Sequence, residues 1–397
     1  MKSINKSLLS MAVAAAVVAA PAFGDDAMSF SDAIKAGKAT LDFRYRMEDV
    51  SQDGTGDAQA NTLRTRLNFQ SGAVKGFSGF IEFDQVSELI EVDYNNGTGN
   101  GYATAVIADP EGTDLNQSYI QYVNGGTTVR YGRQRILLDN QRFIGGVGWR
   151  QNEQTFDAFS VTNTSIKNFK LFYANIHNTN TILGTNLYSE DNIVNASYKI
   201  SSAFTVTGYA YMLGVKDVDN SDDDTIGIRV NGALAGFSYA AEYATESARK
   251  AGQSKDYSAS YTGLNGSYQA GPVNLGLGYE LLGADGTLGE FETKYGTKHA
   301  FQGWADEFLN TPNGGIEDLY VSAGSKIGSV NASVVYHSYG SDDKAAAGGI
   351  RDFGTELDFV VSGKAGPVGL LAKYADYSAD GLFTDTRKIW LMASMTF

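Results

Sequence analysis

The 397-residue chain has no cysteine, only 5 prolines and only 3 histidines. Without cysteine there is neither a disulfide nor a thiolate metal site, which suits passage through an oxidising compartment. The histidines, His177, His299 and His337, are scattered and form no HExxH pair. Pro110, Pro272, Pro312 and Pro367 fall in loops or turns, so none breaks an extended ladder. Past the N-terminus no run reaches the ~18 apolar residues of a membrane helix. Basic residues are outnumbered 31 to 45, for a net charge of −14. That balance argues against binding nucleic acid through a chain-wide positive field, but it does not say where each sign sits.

The apolar run that does exist is N-terminal. Lys2 and Lys6 precede Leu8 to Ala20, followed by Ala20-Pro21-Ala22-Phe23-Gly24 and then Asp25-Asp26. This reads as a cleaved secretory signal, residues 1–24, with a single domain over 25–397. Abundant residues point to a large antiparallel sheet: 46 glycines for turns and 23 tyrosines for sheet faces.

The apolar signal has period two. At the C-terminus Ile389, Leu391, Ala393, Met395 and Phe397 alternate with Lys388, Trp390, Met392, Ser394 and Thr396. One face suits lipid and the other a wet interior. A terminal Phe397 behind such alternation resembles the signature read by the outer-membrane barrel assembly machinery. The same alternation recurs in about 18 segments, an even number within the bacterial range. Short connections, at 71–72, 124–126, 201–202, 270–272 and 363–367, alternate with long ones at 91–112, 137–152, 178–189, 283–316 and 341–350. The expectation is an all-β, antiparallel up-and-down transmembrane barrel of the Gram-negative outer membrane, in contact with lipid and lipopolysaccharide.

Inward positions carry the charge. Folding 38–51 on 58–72 about residue 55 sets Arg44 and Arg46 beside Arg64 and Arg66. Folding 58–72 on 76–90 about residue 74 sets Glu82 opposite Arg66 and Asp84 opposite Arg64. Arg130 and Arg229 also point inward, while Arg133, Arg135, Arg142 and Arg150 crowd one segment where alternation breaks down. A salt-bridge ladder that stiffens the wall and a conduction path for anions both fit this pattern. Asp139-Asn140 signals a turn, and Gly145, Gly146 and Gly148 let the backbone bend. A loop here, folded into the lumen, would present the forks of Arg142 and Arg150 to solute carboxylates, beside Phe143 and Trp149.

The stretch GRQRILLDNQRFIGGVGWRQNEQTFDA, Gly132 to Ala158, resembles the hallmark of the alginate-export family of outer-membrane porins. KHAFQGWADEFLNTPNGGIEDLYV, Lys298 to Val321, is similar to a later block of that family. The resemblance implies an eighteen-stranded monomeric barrel whose arginine-rich constriction passes anionic polysaccharide by diffusion. It maps the constriction and loop residues onto Arg133, Asp139, Arg142, Arg150 and Asp157. Uptake of oligosaccharides or other organic acids fits the residues as well as polymer export does.

Other motifs are weak. His337 beside Asp342 or Asp343 is the one tempting catalytic set. The run Asp217 to Asp224 starts like a calcium loop, but it lacks the sixth-position glycine and has Ile228 where the closing glutamate belongs. No metal, cofactor or enzymatic activity is expected. Two functions remain: a channel for anionic solutes, such as uronate-containing saccharide, or a plugged barrel acting as adhesin, scaffold or sleeve for a partner protein.

Overall fold

A computed structural model describes residues 29–216, 222–249 and 255–397. The signal segment and residues 217–221 of the acidic run lie outside the described residues. The chain starts with α1 (Phe30–Lys35), where the Ser29 hydroxyl accepts the Asp32 N–H at 3.1 Å. The helix end docks on the first short turn, as Gly72 N–H donates to Ala33 O at 2.8 Å.

Eighteen strands follow. They are β1 (Lys38–Gln52), β2 (Ala58–Gln70), β3 (Phe77–Glu88), β4 (Gly112–Asn124), β5 (Thr127–Gln134) and β6 (Thr155–Asn163). Next come β7 (Phe169–Asn180), β8 (Asn186–Ser201), β9 (Phe204–Leu213), β10 (Asp223–Leu234), β11 (Phe237–Ala248) and β12 (Tyr257–Ala270). The last are β13 (Val273–Leu282), β14 (Ile316–Ile327), β15 (Val330–Gly340), β16 (Asp352–Ala365), β17 (Val368–Ala379) and β18 (Thr386–Thr396). Each pairs antiparallel with its sequence neighbours, and β18 returns to β1 with Met47 opposite Leu391 and Asp42 opposite Thr396. Backbone bonds between Leu41 and Phe397 complete that seam. The sheet closes, so no edge strand is left with unpaired backbone groups, as a membrane barrel requires.

The period-two reading holds. Leu391, Leu67 and Phe397 are exposed on the outer face, whereas Lys388, Trp390, Arg46 and Glu48 are buried inside. One expected long connection is short. β7 and β8 run on to Asn180 and Asn186, leaving 181–185 in place of 178–189. An amide ladder explains the extension: Asn178 Nδ2 donates to Asn186 Oδ1 at 2.9 Å.

The three long loops are L2 (89–111), L3 (135–154) and L7 (283–315), all at the end opposite the short turns. L3 and L7 share a parallel bridge between Ile144 and Tyr295. Phe143, Ile144, Phe291, Tyr295 and Phe308 from these loops join wall residues in one buried apolar cluster. The core of this barrel thus lies inside the lumen, built by two inserted loops.

Candidate functional site

The hairpin registers differ by a step from the sequence expectation. β1 folds on β2 about Gly54, which takes φ +76°. Arg44 therefore faces Arg64 directly, Asp42 faces Arg66, and Arg46 faces Thr62. β2 folds on β3 about Lys75-Gly76, both at positive φ, so Asp84 faces Arg66, and Glu82 faces Asn68 instead of Arg66. Arg64 takes its carboxylate from its own side of the seam, Asp42, at 2.6 Å.

Most inward arginines are matched by the protein itself. Arg66 grips Asp84 with two bonds of 2.6 Å and reaches Glu153 of L3 at 2.6 Å. Arg135 bridges Glu82 at 2.6 Å and Glu153. Arg133 binds Asp157 at 2.8 Å and approaches Asp114 at 3.6 Å. Arg229 pairs with Glu242 at 2.5 Å. Arg46 reaches Asp109 of L2 at 3.1 Å and lies on the Trp149 ring.

The forks of Arg142 and Arg150, expected to face solute, are held by the protein's own carboxylates, although Arg150 also lines a cavity at the long-loop end. Arg142 is buried, donates to Glu280 of β13 and to Gln302 of L7, both at 2.8 Å, and stacks on Phe301. Arg150 meets Glu48 at 2.9 Å, Asp306 at 3.2 Å and Asp109 at 3.7 Å. Asp139, at φ +51°, accepts from Asn195 of β8 at 2.7 Å. These contacts span the lumen, because L3 leaves β5 yet finds partners on β1, β8 and β13.

Loop electrostatics follow from the pairing. Burial pushes the Glu153 carboxyl up, but Arg66 and Arg135 outweigh it and hold the group down at about 2. Asp109 is likewise held below the usual range against its burial, by Arg46 and Arg150. Burial raises Asp139, which has only the Asn195 amide and distant cations to offset it.

Two inward guanidiniums have no carboxylate at ion-pair distance among the described residues. Arg44 donates to Gln151 Oε1 at 3.0 Å and to the carbonyls of Gly148 and Arg150. Arg130 donates to Gln121 Oε1 at 2.9 Å and lies over Tyr119. Above them, at the long-loop end, opens a cavity of about 420 Å³. Arg150, Lys294, Lys298 and Lys388 line it with Asp306 and Glu307. A smaller space of about 210 Å³ lies against L7, among Arg229, Tyr261, Glu280 and Trp304.

Comparisons with known proteins bear on the family and on the barrel fold. Residues 38–175 match the family model for alginate export. The match includes the block from Gly132 to Ala158; the block from Lys298 to Val321 lies beyond it. No curated protein matches. Among solved structures, Pseudomonas aeruginosa OccK9 (OpdG) superposes with a TM-score of 0.70 at 15% identity, covering 92% of this chain and 100% of that one. Acinetobacter baumannii OccAB4 gives 0.68 at 14%, covering 91% and 98%. P. aeruginosa OpdK with vanillate gives 0.68 at 14%, covering 92% and 99%. At such identities the likeness carries the fold alone, the closed eighteen-stranded antiparallel barrel of an outer-membrane protein.

Some site residues were not legible beforehand. His337 joins neither Asp342 nor Asp343; it bonds Asp318 at 2.9 Å across β14 and β15. Glu280 and Lys373 went unmarked in the sequence, and inward parity was the available signal for both. Asp306 lies in the block from Lys298 to Val321 singled out there, but its pairing with Arg150 and Lys388 was not foreseen.

Proposed function

We propose that this barrel is a passive-diffusion channel for anionic solutes of saccharide size, with uronate-containing oligosaccharide as the solute class suggested by the alginate-export match. One observation carries this reading. Arg44 and Arg130 keep guanidiniums unmatched by carboxylate on the same inward face as Arg64 and Arg66. At a narrow passage the nearest charges dominate, because salt screens the acidic exterior within ~8–10 Å while low-dielectric walls strengthen local fields. The cavity of about 420 Å³ at the mouth falls in the size range of small-molecule sites. It favours short saccharides or small organic acids over a polymer while L3 and L7 are docked. The vanillate in the OpdK structure is a carboxylate of that scale.

Reversal potentials in planar bilayers under a salt gradient test the proposal. Anion preference is expected, and a cation-selective channel would sink it. The apolar cluster that L3 and L7 build across the lumen favours a second reading, a plugged barrel serving as scaffold or adhesin. Absence of any steady single-channel current would select that reading.

A further inference from the structure

The chain has three tryptophans, and all three surround one ammonium. Lys373 Nζ lies 3.7 Å from the ring centre of Trp304, 4.3 Å from that of Trp149 and 5.4 Å from that of Trp390. Such faces attract a cation, most strongly where water is excluded, and Lys373 is 7% exposed. It donates to His299 Nε2 at 2.7 Å and has no carboxylate at ion-pair distance among the described residues. His299 lies flat on Trp149, 4.4 Å between centres and 8° between planes. Its Nδ1 faces Asp306 Oδ1 at 2.6 Å. Burial pushes this imidazole down to about 3, so it is neutral. With Nδ1–H donating to Asp306, its Nε2 lone pair is free to accept from Lys373.

The parts of this box come from four places. Trp149 belongs to L3, His299 and Trp304 to L7, Lys373 to β17 and Trp390 to β18. L3 and L7 are also tied to each other. Gln154 Nε2 donates to Tyr295 O at 3.1 Å, and Val147 N–H donates to Thr297 Oγ1 at 3.1 Å. The loops therefore form one body, and the box fastens it to β17 and β18. The fastening is imperfect. The indole N–H groups of Trp149 and Trp390 are buried with no acceptor among the described residues, and a buried donor left unpaired disfavours the docked state. Water entering the box would satisfy both indoles and hydrate the ammonium, so separation starts more easily here than at the fully paired Arg150 and Arg142.

We propose that this box is the latch of a movable plug. L3 and L7 travel together, and their withdrawal of Trp149, Trp304 and His299 from Lys373, which keeps its cross-strand neighbour Trp390 on the wall, widens the external half of the lumen for saccharide-sized solutes. The proposal rests on the channel reading. Because every tryptophan lies in the box, intrinsic fluorescence reports its state directly. Three variants should be purified and checked for heat-modifiable mobility: Lys373→Met, Lys373→Arg and His299→Ala. The last alters no strand residue, so it remains informative where Lys373→Met fails to assemble. Acrylamide quenching and liposome swelling with neutral saccharides of graded size are then measured. Lys373→Met and His299→Ala should at least double the quenching constant, shift emission to the red and admit a larger saccharide. Lys373→Arg should stay near the parent. Parent-like quenching in Met and Ala variants, or raised quenching with an unchanged size limit, overturns the latch; so does a parent and variants that pass no saccharide at all. Neutral probes keep the result independent of the sign of ion selectivity, which the reversal potentials decide.

Discussion

The two walls of the lumen differ in kind. The wall of β1 to β6 is built on guanidinium: Arg44, Arg46, Arg64, Arg66, Arg130 and Arg133, with Glu48, Glu82, Asp84 and Asp157 among them. The wall of β9 to β16 is built on phenol and carboxyl. Tyr209 donates to Glu242, Tyr257 to Glu246, Tyr261 to Glu280 and Tyr339 to Glu356. Loops rooted in both walls carry charge of the complementary sign into the lumen. L3, rooted beside the arginines, delivers Arg142 to Glu280. L7, rooted among the carboxylates, delivers Asp306 to Arg150 and to Lys388. A net charge of −14 hides this segregation, because charges sorted by strand cancel in a sum. The difference teaches that wall arginines divide into those matched by carboxylates and those, Arg44 and Arg130, with no carboxylate at ion-pair distance among the described residues.

The sharpest way to break the comparison is to remove one crossing arginine. Arg142→Met leaves Glu280 buried with a phenol and an amide but no cation. Breaking a buried pair from one side costs about 3–5 kcal/mol. L3 should detach, seen as new protease cleavage within 135–154 and as noisier, larger conductance. Adding Glu280→Gln should restore much of the protection. Unchanged cleavage in the single variant would mean that the two walls do not depend on this crossing.

The seam where β1 meets β18 comes next. Leu391 faces outward there, opposite Met47. Leu391→Lys places a cation toward lipid at a cost of about 2–4 kcal/mol near the midplane. Deleting Phe397 removes the backbone bonds to Leu41 and the edge contact with Phe43. Both variants should yield less heat-modifiable barrel; normal yields would refute this register as the one needed for assembly.

Acid tests the latch between the walls. His299 faces Asp306 from L7, Arg150 from L3 and Lys373 from β17, and Lys388 of β18 donates to the same Asp306. Docked, its value is about 3 against a usual ~6.5 in an undocked loop. A depressed base gains its proton on undocking, so docking is strongest above about pH 6.5 and weakens as pH falls toward 3. At pH 5 the docking constant should drop about thirtyfold. Asp306 opposes nothing in this range, since His299, Lys388 and Arg150 overcome its burial and hold it well below the usual carboxylate range. Tryptophan quenching should rise between pH 7 and 5 and not in His299→Ala. A flat profile in the parent would remove His299 from the latch.

How much of this was legible depends on distance along the chain. The strands were, because a membrane on one side and water on the other impose period two on every crossing. The hairpin registers were off by a step, because Gly54 and Lys75-Gly76 set the turn centres through positive φ that no local alternation records. The partners of Arg142 and Arg150 were not legible at all. Glu280 lies 138 residues from Arg142 and Asp306 lies 156 from Arg150, and only closure of the sheet brings them together. The same segment that read as forks offered to solute is therefore tied by its arginines to β1, β13 and L7.

That division gives the smallest effect and the most specific one. If crossing arginines hold loops and unmatched ones meet solute, selectivity should answer to Arg44 and Arg130 and not to Arg133. Arg133 is neutralised by Asp157 and Asp114, so Arg133→Gln with Asp157→Asn removes a charge of each sign and should leave the reversal potential within error. Arg130→Glu reverses a charge attended, among the described residues, by Gln121 and the Tyr119 ring and by no carboxylate at ion-pair distance. It should lower the anion-to-cation permeability ratio several-fold at low salt, and less at high salt as the field is screened. Arg44→Gln should lower the ratio further, although it also releases Gly148 and Arg150 carbonyls of L3, so quenching must be recorded alongside. A ratio that moves with the Arg133–Asp157 pair but ignores Arg130 would reverse the assignment, making the matched ladder the conduction path and the unmatched arginines braces.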